Sequence, residues 1–246
     1  MKMIIALVLM LFVAMGYTLS LIGFQSNYAW VSNLFIVIMG LPAFIGVIKL
    51  QGMKRGLAVV FSLILFALIF EGQAIYSGFP YSEFNYTDKI TGKIFGIVPW
   101  TIGFAWAPLL IGSAIVVTNF KKLSNFKFIL FTAILLVLVD LVLDPGATKA
   151  GLWVWKNTNG FYEVPLMNFF GWFVSGILGS CLYLLLVKNP TNKISKFDQI
   201  LTTGSLSLTL AFWTGAAVFF GMWIVVILGL GLSTYLFIQN HYSRIK

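Results

Sequence analysis

The chain has 246 residues, 60% of them hydrophobic and only 9% charged. Soluble domains carry about 25% charged residues, so a soluble globular fold is excluded. The net charge of +9 sits in short loops between apolar runs, which is the pattern of membrane orientation and not of nucleic-acid binding.

Taken in chain order, the first segment is "MKMIIALVLMLFVAMGYTLSLIGF", one Lys ahead of about 21 apolar or small residues. A signal-peptide apolar core is about 7–15 residues long, so a retained membrane helix is predicted over 3–24. Further runs near the length a bilayer requires predict helices over 29–49, 56–76, 94–118, 128–144 and 166–187. The stretch 200–238 then continues for 39 residues without a charge. As one helix it would reach about 58 Å, against a hydrocarbon core of about 30 Å. Two helices joined by a tight turn within 214–221 fit better. The predicted fold class is an all-α polytopic integral membrane protein with about eight transmembrane helices, seven being the alternative, in a single transmembrane domain over 1–246.

The basic residues favour eight spans. With the N-terminus in the cytoplasm, Lys2, Lys49, Lys54, Arg55, Lys121, Lys122, Lys127, Lys188, Lys193, Lys196, Arg244 and Lys246 fall on the cytoplasmic side, and Lys89, Lys93, Lys149 and Lys156 on the other. This bias obeys the positive-inside rule and places both termini of a cell-membrane protein in the cytoplasm; seven spans would put the basic tail outside. Cytoplasmic loops such as "KNPTNKISKFDQ" are plain basic connectors. The non-cytoplasmic segments 77–93 and 145–165 are long and rich in Gly, Pro, Tyr and Trp, so chemistry is expected there.

Cysteine and histidine usage narrows that chemistry. One Cys (Cys181) and one His (His241) exclude an internal disulfide, a Cys-rich metal site, an iron–sulfur cluster and the His-rich di-iron centres of membrane hydroxylases. Cys181 reads as packing and His241 as a solvated tail residue. The short "GLGL" at 229–232 is too weak to mark a nucleotide site. The last two predicted spans contain no Lys that could carry a retinal Schiff base.

Four polar residues from three predicted helices reach a similar depth below the outer surface. Asp140 lies about four residues, or roughly 6 Å, inside its helix end, and Asp144 lies at that end before Pro145. Their spacing puts them on one helix face. Glu71 lies near the outer end of the third helix and Asn168 near the outer start of the sixth. Tyr81, Tyr86, Trp153, Trp155, Tyr162 and Trp172 surround them in sequence. Ionisable residues inside spans are rare and usually functional, which favours a role for Asp140 and Glu71. Asp144 also fits a plain helix terminator ahead of Pro145. Trp172 and Trp213 fit interfacial or packing roles, and Glu163 suits a solvated loop as well as a site.

The stretches "EGQAIYSGFPYSEFNYTD", "TGKIFGIVPWTIGFAWAPLL" and "DLVLDPGATKAGLWVWKNTNGFYEVPLMNFFGW" resemble carotenoid biosynthesis proteins of the carotenoid 1,2-hydratase type. That group includes hydratases of γ-carotene and of bisanhydrobacterioruberin. The resemblance covers about 71–176. It rests on an Asp, three residues, Asp-Pro pattern, then Gly-x-Trp-x-Trp, Gly-x-Tyr and a Pro–Asn–Gly-Trp run. It implies recurrent functional positions at Glu71, Tyr81, Tyr86, Asp140, Asp144, Trp153, Trp155, Tyr162 and Asn168. Glu163 in "FYEVP" and Ile94 in "TGKIFG" depart from the family pattern, which bears on the substrate more than on the reaction.

The resemblance implies addition of water across the terminal 1,2 double bond of an acyclic carotenoid. That reaction needs no cofactor and no metal, and its partners are the lipid-borne carotenoid, water and the surrounding membrane lipids. Protonating an alkene carbon needs a well-placed acid, and burial beside another carboxylate favours the acid form of a carboxyl. Asp140 and Asp144 could share one proton as a dyad, with Glu71 as the rival donor, aromatic faces stabilising the cation and Asn168 holding water. A proton- or cation-coupled transporter also uses buried carboxylates. A membrane prenyltransferase would need a second Asp-rich motif. A purely structural membrane protein is a further reading.

Overall fold

The computed structural model describes residues 2–120, 123–188 and 194–242, with side chains up to 240. Lys121, Lys122, Lys193, Arg244 and Lys246, which enter the charge count, and the side chain of His241 lie outside the described residues. In chain order come α1 (Lys2–Ile22), a 3-10 turn (Ser26–Tyr28), α2 (Ala29–Gln51) and α3 (Met53–Ser77). Short strands β1 (Phe84–Tyr86), β2 (Lys93–Ile94) and β3 (Val98–Pro99) precede α4 (Ile102–Thr118) and α5 (Asn125–Ala150). Then follow β4 (Trp153–Trp155), β5 (Gly160–Phe161), β6 (Val164–Pro165), α6 (Leu166–Leu186), α7 (Lys196–Thr202), α8 (Gly204–Phe219) and α9 (Trp223–Tyr242).

The chain is an all-α polytopic membrane protein. Among the described residues, six helical segments are long and apolar enough to span a bilayer, or seven if α7 and α8, bent by 48° at their junction, count as one span. The remaining apolar helix, α4, has 17 residues and is buried along nearly its whole length, so its neighbours are protein and not lipid. The long uncharged stretch divides as expected. Its turn lies at the far end of the predicted window, where Gly221 takes a positive φ of 69° that glycine adopts without steric cost.

Two expected boundaries move. The helix predicted from 94 begins at 102, because 93–99 folds back as the antiparallel β2–β3 pair, with Phe95 and Gly96 in the left-handed region. The helix predicted to stop at Asp144 continues through Pro145 to Ala150, where Gly151 ends it in the left-handed conformation and its N–H bonds Thr148 O at 2.9 Å. Proline is a helix stop in water. In an apolar surround an unwound segment would leave more backbone groups unpaired, so a proline inside a helix is tolerated. Asp144 is therefore an interior residue of α5 and not its terminator.

α5 is the hub, packed against α4, α6, α8 and α9. α1 lies along α8 at very close range. A Cβ on Gly16 would stand 1.9 Å from Phe212 O, and one on Gly215 would stand 1.9 Å from Val13 O. Small residues permit this approach, and dispersion rather than water exclusion holds such helices together in lipid.

The bundle has two unlike ends. At one, Lys49 pairs with Asp198 at 2.7 Å and Gln51 accepts the N–H of Lys188 at 2.8 Å, tying α2 to α7 and to the end of α6. At the other, β1 and β4 pair antiparallel in the register Phe84↔Trp155, Asn85↔Val154 and Tyr86↔Trp153. Side chains alternate across a strand, so Phe84, Tyr86, Trp153 and Trp155 share one face while Asn85 and Val154 are exposed. The ribbon joins the loops after α3 and after α5 into a cap over the aromatic end. Phe84 and Trp155 are 4.9 Å apart between ring centres, and Tyr86 meets Trp153 edge-on at 5.9 Å. Aromatic pairs of this kind contribute about 0.5–1.5 kcal/mol each beyond the area they bury.

Candidate functional site

Beneath the aromatic cap, α5 presents Asp140 and Asp144 one turn apart, with exposures of 0% and 3%. Asn168, 2% exposed in the first turn of α6, bridges them. Its amide nitrogen donates to Asp140 Oδ2 at 2.9 Å and also to Asp144 Oδ2. An amide nitrogen carries two hydrogens, so one Asn serves both carboxyls. The two carboxyl groups are also within hydrogen-bond reach of each other. Asp140 Oδ1 is buried without a protein partner.

Glu71 comes from α3. Its Oε1 accepts a 2.5 Å hydrogen bond from the hydroxyl of Tyr86, which fixes the carboxyl to the cap. Tyr81 reaches Ser175 with its hydroxyl, and its ring lies against Gly171, where a Cβ would stand 2.2 Å from Tyr81 Cδ1. Burial first, and the charge of Glu71 second, push the phenol of Tyr81 well above its ordinary pKa. The same two causes, in the same order, act on Tyr86. Both are therefore neutral hydroxyl donors.

These groups surround a cavity of about 70 Å³. Glu71, Asp144 and Asn168 form its polar wall, and Tyr81, Tyr86, Trp153 and Trp155 its aromatic wall. Asp140 stands behind Asp144 and does not line the cavity. The indole of Trp155 is committed, its N–H donating to Thr148 Oγ1 at 3.1 Å. The N–H groups of Trp106 and Trp153 are buried without partners.

Tyr162 is not brought to the cavity. It occupies the turn of the β5–β6 pair with Glu163, both at positive φ (51° and 71°), as a two-residue hairpin requires. Glu163 pairs with Lys149, which makes it a tie between the hairpin and α5. Trp172 and Trp106 do line the cavity. Trp172 reads from sequence as a packing residue, and Trp106 lies inside a run so uniformly apolar that nothing marks it.

Charge pairing separates the site from the rest of the chain. Among the described residues, Glu83, Asp88, Glu163 and Asp198 each lie within 4.0 Å of a Lys, while Glu71, Asp140 and Asp144 have no such partner. Three carboxyls converge in an apolar interior with only neutral donors around them. Among the described residues, no group of three or more His, Cys, Asp or Glu side chains is arranged to hold a metal ion. The arrangement suits holding and moving a proton.

Residues 3–236 match the family model for carotenoid biosynthesis proteins. Over 202 residues, which is 79% of this chain and 68% of the other, the sequence is 29% identical to bisanhydrobacterioruberin hydratase of Haloarcula japonica. No solved structure matches.

Proposed function

The chain belongs to the carotenoid biosynthesis protein family, and on that premise we propose that it is a carotenoid hydratase adding water to the terminal 1,2 double bond of an acyclic end group. The carrying observation is the cavity itself. A carboxyl on α5, backed by a second carboxyl, faces a cavity of about 70 Å³ walled by aromatic rings, with a third carboxyl on α3.

In this reading the end group enters with its double bond against Asp144. Asp144 donates its proton to C2, a C–H bond forms, and the π pair leaves a tertiary cation at C1. The faces of Trp153, Trp155 and Tyr81 stabilise that cation. A water oxygen attacks C1 and loses a proton to a carboxylate, with Glu71, fixed by Tyr86, as the acceptor within the cavity wall. Proton exchange between the carboxyls restores Asp144. Asp140 from behind and Asn168 from the cavity wall set the protonation and orientation of Asp144. The balance is one alkene plus one water to one tertiary alcohol.

Two features speak against the rival classes. The neighbouring cavity has no charged residue in its wall, whereas intramembrane proton and cation relays run through chains of ionisable side chains. A prenyltransferase holds Mg²⁺-diphosphate with two separate Asp-rich motifs, and this chain carries one Asp pair, Asp140 and Asp144.

We read the basic end as cytoplasmic, which puts this site on the outer side. A reporter active only outside the cell, fused after Lys246, should be silent; activity there would reverse the orientation of the C-terminus. The function is tested by expression in a host that makes acyclic carotenoids. Extracted pigments should gain the mass of one or two waters, with the oxygen drawn from labelled water. Label from O₂, or no new pigment, would refute the hydratase reading.

A further inference from the structure

Beside the carboxyl cavity lies a second one of about 100 Å³, formed between α2, α4, α5 and α8. The two share Ile102, Ala105, Leu109, Leu143 and Trp153 in their walls, so they are neighbours across one thin apolar partition. The second wall contains no charged residue. Its Ser205 hydroxyl is spent inside the protein, donating to Gly40 O at 3.1 Å and accepting the N–H of Ala43 at 3.0 Å. Phe24, Ile36 and Phe104 in the wall are partly exposed, and beside them on α2 Leu34 and Ile38 stand half exposed among apolar side chains.

We infer that this second cavity holds the conjugated chain of the carotenoid immediately behind the reacting end group, and that Ala105 and Trp153 set the width of the passage between them. The inference rests on the hydratase reading for what lies at the far end of the passage. The chemistry of the walls selects the occupant. A charged headgroup would be stripped of water there with no charged partner, Ser32 and Thr209 being the only other hydroxyls in the wall. A flat hydrocarbon gains area burial and contact with the rings of Phe35, Phe104 and Trp153. A chain longer than the cavity leaves past Ile36 into lipid, where the rest of a carotenoid resides. One end group at a time then reaches Asp144, and substrates hydrated at both ends must withdraw and turn around.

The test uses the full-length protein purified from a carotenoid-producing host and two readouts, retained pigment per protein and hydrated product. Ile36→Trp fills the second cavity without touching the carboxyl site. It should lower retained full-length carotenoid by about tenfold or more, as overfilling a packed site does. Ile36→Ala, which adds space, should keep retention at or above the wild-type level, and this guards against a loss caused by misfolding. Unchanged retention in a folded Ile36→Trp protein overturns the inference whatever the turnover. Wild-type protein that retains pigment, loses it on Ile36→Trp and yet forms no hydrated product overturns the hydratase reading and leaves the channel standing.

Discussion

Two buried polar clusters sit at opposite ends of the bundle, and they are built on opposite principles. At the basic end, Gln199 donates to Asn240 Oδ1 at 3.0 Å, Asn240 donates to Thr203 Oγ1 at 3.0 Å, and Thr203 donates to Gln199 O at 2.8 Å. Every partner is neutral, the donors and acceptors close on one another, and none of the three residues lines the carboxyl cavity or its neighbour. At the aromatic end three carboxyls share few donors, Asp140 Oδ1 has no protein partner, and the group opens on a cavity. A satisfied polar network rigidifies a fold. An under-satisfied one costs stability, and it persists where a reaction uses the free valence. The first cluster reads as architecture and the second as chemistry.

Mutations at the two ends should therefore fail in different ways. The largest effect is expected from Asp144→Asn, which keeps size and polarity but removes the proton. Hydration should fall at least about 10²-fold, the low end for general acid catalysis, with thermal stability in detergent unchanged or raised. Asn168→Leu should follow with a loss of about tenfold, since it removes one hydrogen bond to each carboxyl, read as initial rate on pigment in detergent. At the other end the sign of the comparison reverses. Asn240→Leu removes the 3.0 Å acceptor of the Gln199 amide and the donor to Thr203 Oγ1 and should cost about 1–3 kcal/mol of stability, seen as a lower melting temperature, with the rate per folded molecule unchanged. The smallest effect is expected from Lys156→Met. It breaks the 2.7 Å pair with Glu83 on the exposed face of the cap, and exposed pairs contribute little; neither rate nor melting should move measurably.

The convergence of Glu71, Asp144 and Asn168 on one cavity was legible from the sequence, because depth within a span follows from counting residues at a fixed rise and the helix period fixes the face. Asp140 was legible as a neighbour of Asp144, but not its place one layer behind. That depends on how α6 packs on α5. The path of α5 through Pro145 was hidden by a rule that holds in water and weakens in lipid. The aromatic cap was hidden for a different reason. β1 and β4 have three residues each, too few for a period to declare itself, and they pair across two intervening helices. Tyr162 reads as a site residue through the family resemblance, yet it occupies a two-residue turn and does not line the cavity. Trp106 and the second cavity were invisible for want of any polar contrast in the helices that line them.

In the proposed mechanism Asp140 and Asp144 act as one proton-holding unit with Asp144 at the substrate. That coupling is tested most directly by initial rates of hydration in purified Asp144→Asn, Asp140→Asn and the double variant, with Glu71→Gln alongside. Each single Asp variant should lose at least about 10²-fold and the double variant should be little worse than either, since residues acting as a unit are not additive. Retained activity in Asp144→Asn and Asp140→Asn, with Glu71→Gln inactive, would contradict that mechanism and move the proton to Glu71.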